Sequence, residues 1–496
     1  MPDLASIPEH RANPLLRRLD WRFLLPLRGF RTVFCPAGDP LAEAVALGLE
    51  ARAADQGADL AVLSSPDTNR LRDAYSRLRP GGALYAEWRK PGLGGAARPA
   101  ALAARAGFVG IGCHLPWPWA RPAGPAYWIP LGPRRSLELV LERRLAPAHA
   151  GRVTSAFRLA ERTGLLGPVC LVAQRPPAAD PPAAPLLLAT GGRRSVNKAV
   201  GLVVRDGDDA PRSVVKFARM PAEDAGLRRE WDALRTIQTI RPSLAGVPRP
   251  LSLDLRAGRV ALRETAVHGR RVLDDVRSAS FVGTSLRVTD WLLELAGDAV
   301  TVPRESWWDR LVEQPLAEFV RRYRDVLGDE EMRSAWAELD ALPDLPLVVE
   351  HRDLSPWNVL IDDQGRLGVL DWESAELQGL PGLDLPYFLT HWALAADGAL
   401  DDRRLESYHR SRTDRTPTGS VIAACEHRYC TALGIDPAAL RPLRILAWVV
   451  HALSEHRGLV RDAGGRPRAA RLQAAFFLGL LRAELATGAE LAGRQV

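Results

Sequence analysis

The chain has 496 residues, of which 47% are hydrophobic and 25% are charged. This length exceeds what one hydrophobic core usually supports, and the composition is that of a globular protein, so we expect at least two folded domains and exclude a disordered chain. The formal net charge of +7 is a mild excess without a basic tail, which argues against nucleic-acid binding.

The cysteines and the apolar runs favour a cytoplasmic protein. Five cysteines are scattered through the chain, which fits a reducing compartment better than a disulfide framework. The first residues lead into no apolar signal core, and the apolar runs at 445–453 and 474–481 are too short to span a bilayer. We therefore expect neither secretion nor membrane insertion.

Residues 21–174 alternate short apolar runs with helical stretches, a pattern typical of an α/β domain with a largely parallel sheet. The pattern predicts strands over 32–35, 58–64 and 83–88 and helices over 41–52, 68–78 and 100–106.

Two segments of this region, LRPGGALYAEW at 78–88 and ALAARAGFVGIGCHLPWP at 101–118, resemble the late strands of class I S-adenosylmethionine-dependent methyltransferases. The resemblance implies a Rossmann-like domain. Cofactor binding in such a domain needs a glycine-rich turn after the first strand and an acidic residue after the second. Only Gly38 lies in the PAGDP turn, and about twenty residues separate Pro40 from the strand at 58–64. We expect a degenerate methyltransferase-like domain that serves assembly or substrate presentation and offers a surface to a protein partner.

The segment RPPAADPPAAP at 175–185 predicts a semi-rigid linker, because proline and alanine dominate it. A surface loop inside one domain is the alternative. Residues 186–490 then form the second domain, with strand patterns at 186–190, 199–205, 213–217 and 259–264 followed by mostly helical patterns. This order predicts a small β-rich lobe and then a helical lobe.

The most informative segment runs from Val348 to Leu385 and contains HRDLSPWNVLI and LDWE. Transfer of a phosphoryl group to a hydroxyl needs a carboxylate that orients the acceptor and oxygen ligands for magnesium. We predict that Asp353 accepts the hydroxyl proton and that Asn358 and Asp371 bind Mg²⁺.

These motifs resemble the H-x-D-x-x-x-x-N and D-W-E motifs of the aminoglycoside phosphotransferase and choline kinase-like family, which shares the protein-kinase fold. The resemblance implies an α+β, bilobal, protein-kinase-like domain over residues 186–490, with ATP as donor and a hydroxyl of a small polar molecule as acceptor. It gives His351 and Asp384 structural roles in the catalytic loop. Arg352 stands where the small-molecule enzymes commonly have glycine.

The same resemblance implies which residues hold the nucleotide. Lys216 in SVVKFAR and Glu230 in LRREWDALRTI match the strand lysine and helix glutamate that position the phosphates. The segment TGGRRSVNKAVGL at 190–202 stands where the family has its phosphate-covering hairpin, so Gly192 and Ser195 are candidate phosphate contacts. An ordinary hairpin turn is the alternative there.

The segment LRETAVHGRRV at 262–272 resembles the hinge of that family, in which backbone groups contact the adenine. Glu264 and Ala266 are the corresponding candidates.

The favoured hypothesis is an ATP- and Mg²⁺-dependent phosphotransferase that acts on a small-molecule hydroxyl. A non-catalytic, nucleotide-binding kinase-like module that regulates a partner is the first alternative, and ATP turnover separates the two. An S-adenosylmethionine-dependent methyltransferase with an accessory kinase-like domain is the second alternative.

Overall fold

The structure of the chain is a computed structural model. It describes residues 17–39, 41–42, 45, 48–49, 51–92, 94–118, 125–132, 134–142, 167–177, 186–190, 198–205, 207–276, 278–400, 403–413, 415–463 and 466–492. The chain forms two compact units: Met1–Arg228 with Pro250–Ala266, and Arg229–Arg249 with Val267–Val496. We call these the first unit and the second unit.

The first unit is built on a 12-stranded sheet. Its strands are β1 (Thr32–Phe34), β2 (Arg52–Ala53), β3 (Ala58–Ser64), β4 (Leu78–Trp88), β5 (Val109–Trp117), β6 (Tyr127–Pro130), β7 (Val169–Gln174), β8 (Leu186–Ala189), β9 (Lys198–Val203), β10 (Ser213–Ala218), β11 (Pro250–Arg256) and β12 (Arg259–Thr265). The order across the sheet is β11-β12-β10-β9-β8-β6-β5-β7-β4-β3-β1-β2.

Only part of this sheet is parallel. Strands β2, β1, β3 and β4 run parallel to one another, whereas the other neighbouring pairs of the sheet are antiparallel. Helix α1 (Thr68–Arg77) connects the parallel strands β3 and β4, helix α2 (Ala97–Arg105) lies between β4 and β5, and helix α3 (Arg134–Glu142) lies between β6 and β7 in the chain. The sheet is therefore large and mixed, and the Rossmann-like domain stays a prediction. A short second strand, β2, is present despite the short connection after Pro40.

Strands from both sides of residues 175–185 belong to the first unit. Strand β6 pairs with β8. Near the start of the described chain, Asp20 forms a fully buried ion pair with Arg219 at 2.6 Å, and Phe23 stacks on Phe217 at 4.7 Å. Most of the predicted linker, 178–185, lies outside the described residues. The division of the chain at 175–185 stays a prediction.

Helix α4 (Asp224–Ile240) starts in the range of the first unit and ends in that of the second. The second unit has strands β13 (Arg270–Arg271), β14 (Thr301–Val302), β15 (Leu345–Pro346), β16 (Val348–Glu350), β17 (Val359–Ile361), β18 (Leu367–Val369) and β19 (Glu376–Gly379). Its further helices are α5 (Ser278–Ala296), α6 (Gln314–Tyr323), α7 (Asp329–Asp340), α8 (Asp384–Ala396), α9 (Arg404–Ser411), α10 (Pro417–Leu433), α11 (Leu440–Ala463), α12 (Ala469–Gln473) and α13 (Phe476–Ala492).

One hydrophobic core fills the second unit. Helix α8 is buried on all sides from Asp384 to Leu394, as expected for a helix that is apolar around its whole circumference. Trp392 and Trp448 are fully buried in this core. In the described part of the chain, no helix combines the length and the apolar character needed to cross a membrane. The mostly helical second unit agrees with the predicted order of strands and then helices.

Candidate active site

A short hairpin brings the motif residues of the second unit together. Strands β17 and β18 pair antiparallel, with Val359 opposite Val369. Asn358 directly precedes the first strand and Asp371 follows shortly after the second, so the pairing places them at the same end of the hairpin. The N–H of Leu370 donates to the carbonyl of Asn358 at 2.9 Å and closes that end.

The loop between β16 and β17 is held by buried polar groups. The carboxylate of Asp384 accepts hydrogen bonds from the N–H groups of His351 and Arg352 at 2.6 and 2.8 Å. The His351 ring bonds through Nε2 to the Leu370 carbonyl at 2.9 Å, and its Nδ1 accepts from the N–H of Asp353 at 3.2 Å. These contacts fit the structural roles expected of His351 and Asp384.

Arg352 has a left-handed backbone with φ of +61°. That conformation favours glycine and costs other residues about 1–2 kcal/mol, which explains why glycine suits this position. The Arg352 side chain offsets part of the cost, because its Nε lies 2.6 Å from Oε2 of the buried Glu350 and its guanidinium lies 3.9 Å from Glu376.

Asp353 sits at the centre of the loop with both carboxylate oxygens engaged. Oδ2 accepts from Nδ2 of Asn358 at 3.1 Å, and Oδ1 accepts from the hydroxyl of Tyr387 at 3.2 Å. Burial, together with the negative charge of Asp371, raises the pKa of Asp353 to about 7. A carboxyl group with a pKa near neutrality is suited to take a proton from a hydroxyl and release it again.

Asp371 and Asn358 offer hard oxygen ligands of the kind that magnesium prefers. Asp371 has φ of 71° and ψ of 67°, a conformation that Asp and Asn tolerate better than most residues. Nδ2 of Asn358 donates to Asp353, which turns the amide oxygen away from that carboxylate. Among the described residues, no group of three or more His, Cys, Asp or Glu could hold a metal ion, so any metal here needs the amide of Asn358 and phosphate oxygens as well.

Glu230 lies on α4, within the second unit, and is fully buried. Its Oε1 accepts a hydrogen bond from the N–H of Trp372 at 3.0 Å. Because Trp372 follows Asp371 directly, this contact fixes the backbone next to the proposed metal ligand. The predicted role of Glu230 in positioning Lys216 stays a prediction.

The predicted nucleotide residues lie in the first unit. Lys216 is buried on β10, and its Nζ lies 3.0 Å from Oε1 of the buried Glu264 on the adjacent strand β12. The N–H of Ala266 donates to the carbonyl of Arg212 at 3.3 Å. Gly192 and Ser195 lie outside the described residues.

Tyr387 is the site residue that the sequence analysis missed. It follows Asp384 by three residues on α8, and residues at that spacing lie on one face of a helix. The face that presents Asp384 to the backbone of the loop therefore also presents Tyr387 to Asp353. The three-residue spacing of Asp384 and Tyr387 is visible in the sequence, but it indicates a contact with Asp353 only once α8 is known to pack against the loop.

Several solved structures resemble the chain at low identity. The aminoglycoside phosphotransferase APH(3″)-Id from Streptomyces rimosus is 18% identical over 50% of this chain and 89% of its own, with a TM-score of 0.31. A thermostable mutant of APH(4)-Ia, solved with AMP-PNP and hygromycin B, is 16% identical over 61% of this chain and 94% of its own, with a TM-score of 0.38.

One part of the chain is similar to a known protein family. No curated protein sequence matches it. Residues 198–418 match the profile of the phosphotransferase enzyme family, APH. This range includes the strand with Lys216, the catalytic loop with Asp353 and the hairpin that leads to Asp371. The similarity to the phosphotransferase enzyme family therefore covers residues 198–418 of the chain.

Proposed function

We propose that the protein transfers the γ-phosphoryl group of ATP to a hydroxyl of a small polar molecule, with Asp353 as the catalytic base. The observation that carries this proposal is the environment of Asp353. Two donors orient its carboxylate, and its pKa is raised to about 7.

In the proposed reaction, the acceptor hydroxyl lies within hydrogen-bond reach of the Asp353 carboxylate. Its oxygen forms a bond to the γ-phosphorus while the bond from that phosphorus to the β,γ-bridging oxygen breaks. The proton passes to Asp353, and ADP leaves with the bridging oxygen. Tyr387 and Asn358 keep the carboxylate oriented, because each donates a hydrogen bond to one of its oxygens.

Asn358 and Asp371 would hold magnesium at the end of the β17–β18 hairpin. Bound magnesium would neutralise the charge that develops on the phosphates. The contact from Glu230 to the backbone of Trp372 keeps Asp371 in its left-handed conformation, ready to bind the ion.

Lys216 is proposed to bind the α- and β-phosphates with its ammonium group. It is one of only three lysines among 66 basic residues, and a compact ammonium suits a phosphate as a point charge. Its ammonium already contacts one anionic group, the carboxylate of Glu264 at 3.0 Å, and a phosphate would offer it another. Gly192, Ser195 and the backbone at Glu264 and Ala266 remain the proposed contacts for the rest of the nucleotide.

For residues 21–174 we propose a degenerate methyltransferase-like domain that serves assembly or substrate presentation. The parallel order β2-β1-β3-β4 followed by the antiparallel β7 and β5 supports this interpretation. A cytoplasmic location is part of the proposal, since all five cysteines are free thiols.

The test is phosphoryl transfer by the full chain from ATP with magnesium to a panel of sugars, amino alcohols and aminoglycosides, with the phosphorylated product detected by ³¹P NMR. Asp353→Asn should reduce turnover by about 10³-fold, because general base catalysis commonly contributes 10²–10⁴-fold.

Asp363→Asn is the matched control, since this exposed acid lies in the turn between β17 and β18, at the end of the hairpin opposite to Asn358 and Asp371. It should leave turnover unchanged. Nucleotide binding without turnover on any acceptor would instead support the regulatory module. Equal loss of activity in both variants would remove Asp353 from the mechanism.

A further inference from the structure

A group of aromatic rings lies beside the proposed base. We call it the aromatic wall, and it consists of Trp357, Tyr387, His391, His451, Phe476 and Phe477. The loop, helix α8, helix α11 and the start of helix α13 each contribute to it, all within the second unit.

The wall connects the catalytic carboxylate to an exposed indole. The hydroxyl of Tyr387 donates to Asp353. The Tyr387 ring contacts His391 at 4.5 Å between centroids, and His391 contacts Trp357 at 5.7 Å with an interplanar angle of 74°. The rings of Tyr387 and His391 therefore link Asp353 to Trp357 by direct contacts.

Trp357 is the member of the wall that faces solvent. It is 38% exposed, whereas Tyr387 and His391 are buried at 7% and 8% exposure. Behind it, Tyr387 stacks on His451 with centroids 3.7 Å apart, so the wall is rigid. An exposed indole supported by packed rings next to a catalytic loop is a surface for a ligand that needs a flat apolar face.

The histidines of the wall carry no charge at neutral pH. Burial lowers the pKa of His391 to about 4 and lowers the pKa of His451 well below its ordinary value. The positive charge of Arg404 also lowers the pKa of His391, and the positive charge of Arg352 also lowers the pKa of His451.

The formal charges next to the wall oppose a cationic ligand. The guanidinium of Arg404 lies 5.3 Å from the centroid of the Phe476 ring. The nearby carboxylate of Glu455 accepts from the N–H groups of Phe476 and Phe477 at 2.9 and 3.0 Å, and so it is engaged by the start of a helix.

The carboxylates that raise the pKa of Asp353 are Asp371 and Glu373, which lie after β18 and are not members of the wall. A cation stacked on the indole would be attracted by the ring itself but would lie beside His391, which the positive charge of Arg404 reaches and where it would repel the cation. An uncharged ring avoids that repulsion and retains the stacking.

We propose that the aromatic wall is the acceptor subsite and that it binds an uncharged, hydroxylated ring, such as a pyranoside, stacked on Trp357. The proposal rests on the phosphotransferase function above and narrows its acceptor class. One face of a pyranose ring presents C–H groups that contact an indole favourably, while hydroxyls at its rim reach towards Asp353.

Saturation-transfer difference NMR on the full chain with MgADP measures this binding directly. The probes are methyl β-D-galactopyranoside as the neutral ring, D-mannitol as a neutral acyclic polyol, choline as a cation and kanamycin A as a polycation. The pyranoside should bind most tightly. Trp357→Ala should weaken its binding by about tenfold, and Trp357→Tyr should restore most of it, because stacking contributes on this scale.

Trp336→Ala is the matched control, since Trp336 on α7 is 37% exposed and contacts Trp308 outside the wall. It should leave binding unchanged. Preferential binding of choline or kanamycin A, or pyranoside binding that is equal in wild type and Trp357→Ala, would overturn the subsite. Phosphorylation of choline or kanamycin A would sustain the proposed function but refute this acceptor class. Trp357-dependent pyranoside binding without phosphorylation of any acceptor would sustain the subsite and refute the phosphotransferase.

Discussion

Two turns in this protein follow a strand and are held by a buried carboxylate, but they use it differently. After β1, Asp39 accepts hydrogen bonds from the N–H and hydroxyl of Ser64 and from the N–H of Leu41. After β16, Asp384 accepts from two backbone N–H groups of the catalytic loop. In the first turn, Asp39 is itself a residue of the turn that it holds.

The catalytic loop divides these two tasks between different residues. Asp384 holds the backbone, which leaves Asp353 available for its proposed role as the base. Burial, and after it the negative charge of Asp371, raises the pKa of Asp353. The pKa of Asp384 is also raised to about 7, mainly by burial, although both N–H contacts favour its charged form. The proposed base and the acid that holds its loop are therefore two different residues, Asp353 and Asp384.

Among the substitutions that test this difference between the two turns, Asp371→Asn should reduce kcat the most. Asparagine tolerates the left-handed backbone at this position, so the fold should persist. Loss of the carboxylate that binds magnesium should reduce kcat by about 10³-fold, since a metal ion supplies several kcal/mol of charge stabilisation. Turnover measured across a magnesium titration tests this. An unchanged magnesium dependence would contradict the role of Asp371.

The smallest expected effect on catalysis comes from Asp39→Asn. The amide would present a donor to groups that already donate, so the free energy of unfolding should fall by about 1–3 kcal/mol. Phosphoryl transfer should keep its kcat, because the Asp39 side chain contacts Leu41, Ser64 and Arg70, none of which is a proposed site residue. Urea denaturation and turnover together measure both quantities.

The same substitution at Asp384 is the matched comparison. Asp384→Asn should lower both stability and kcat, because the loop that it holds carries Asp353. If Asp39→Asn and Asp384→Asn had equal kcat, the proposed difference in function between the two turns would be refuted.

Local patterns in the sequence predicted much of the fold. The predicted strand 58–64 matches β3, and the predicted helix 68–78 matches α1 to within its last residue. Strand β11 was missed, although Leu251, Leu253 and Leu255 alternate with polar residues as in a strand, and its first residue is a proline, which is typical of a strand start. The pairing of β6 with β8 could not be predicted either, since a register between distant strands depends on tertiary packing and not on local propensity.

The candidate site shows the same limit. The spacing of His351, Asp353 and Asn358 pointed to a phosphotransfer loop because chemistry fixes which groups such a loop needs. The contact of Lys216 with Glu264 depends on which strands are neighbours, and the contact of Tyr387 with Asp353 depends on how α8 packs. Neither is visible in the local sequence.

The pH dependence of kcat tests the central claim, that Asp353 is the base and that Tyr387 orients it. Between roughly pH 5.5 and 8.5, kcat of the wild type should fall about tenfold per unit below a midpoint near 7, because only the ionised carboxylate accepts a proton. The hydrogen bond from Tyr387 lowers the pKa of Asp353, so in Tyr387→Phe the midpoint should move to higher pH. A kcat that does not change with pH in this range, or a midpoint that moves down in Tyr387→Phe, would contradict the account.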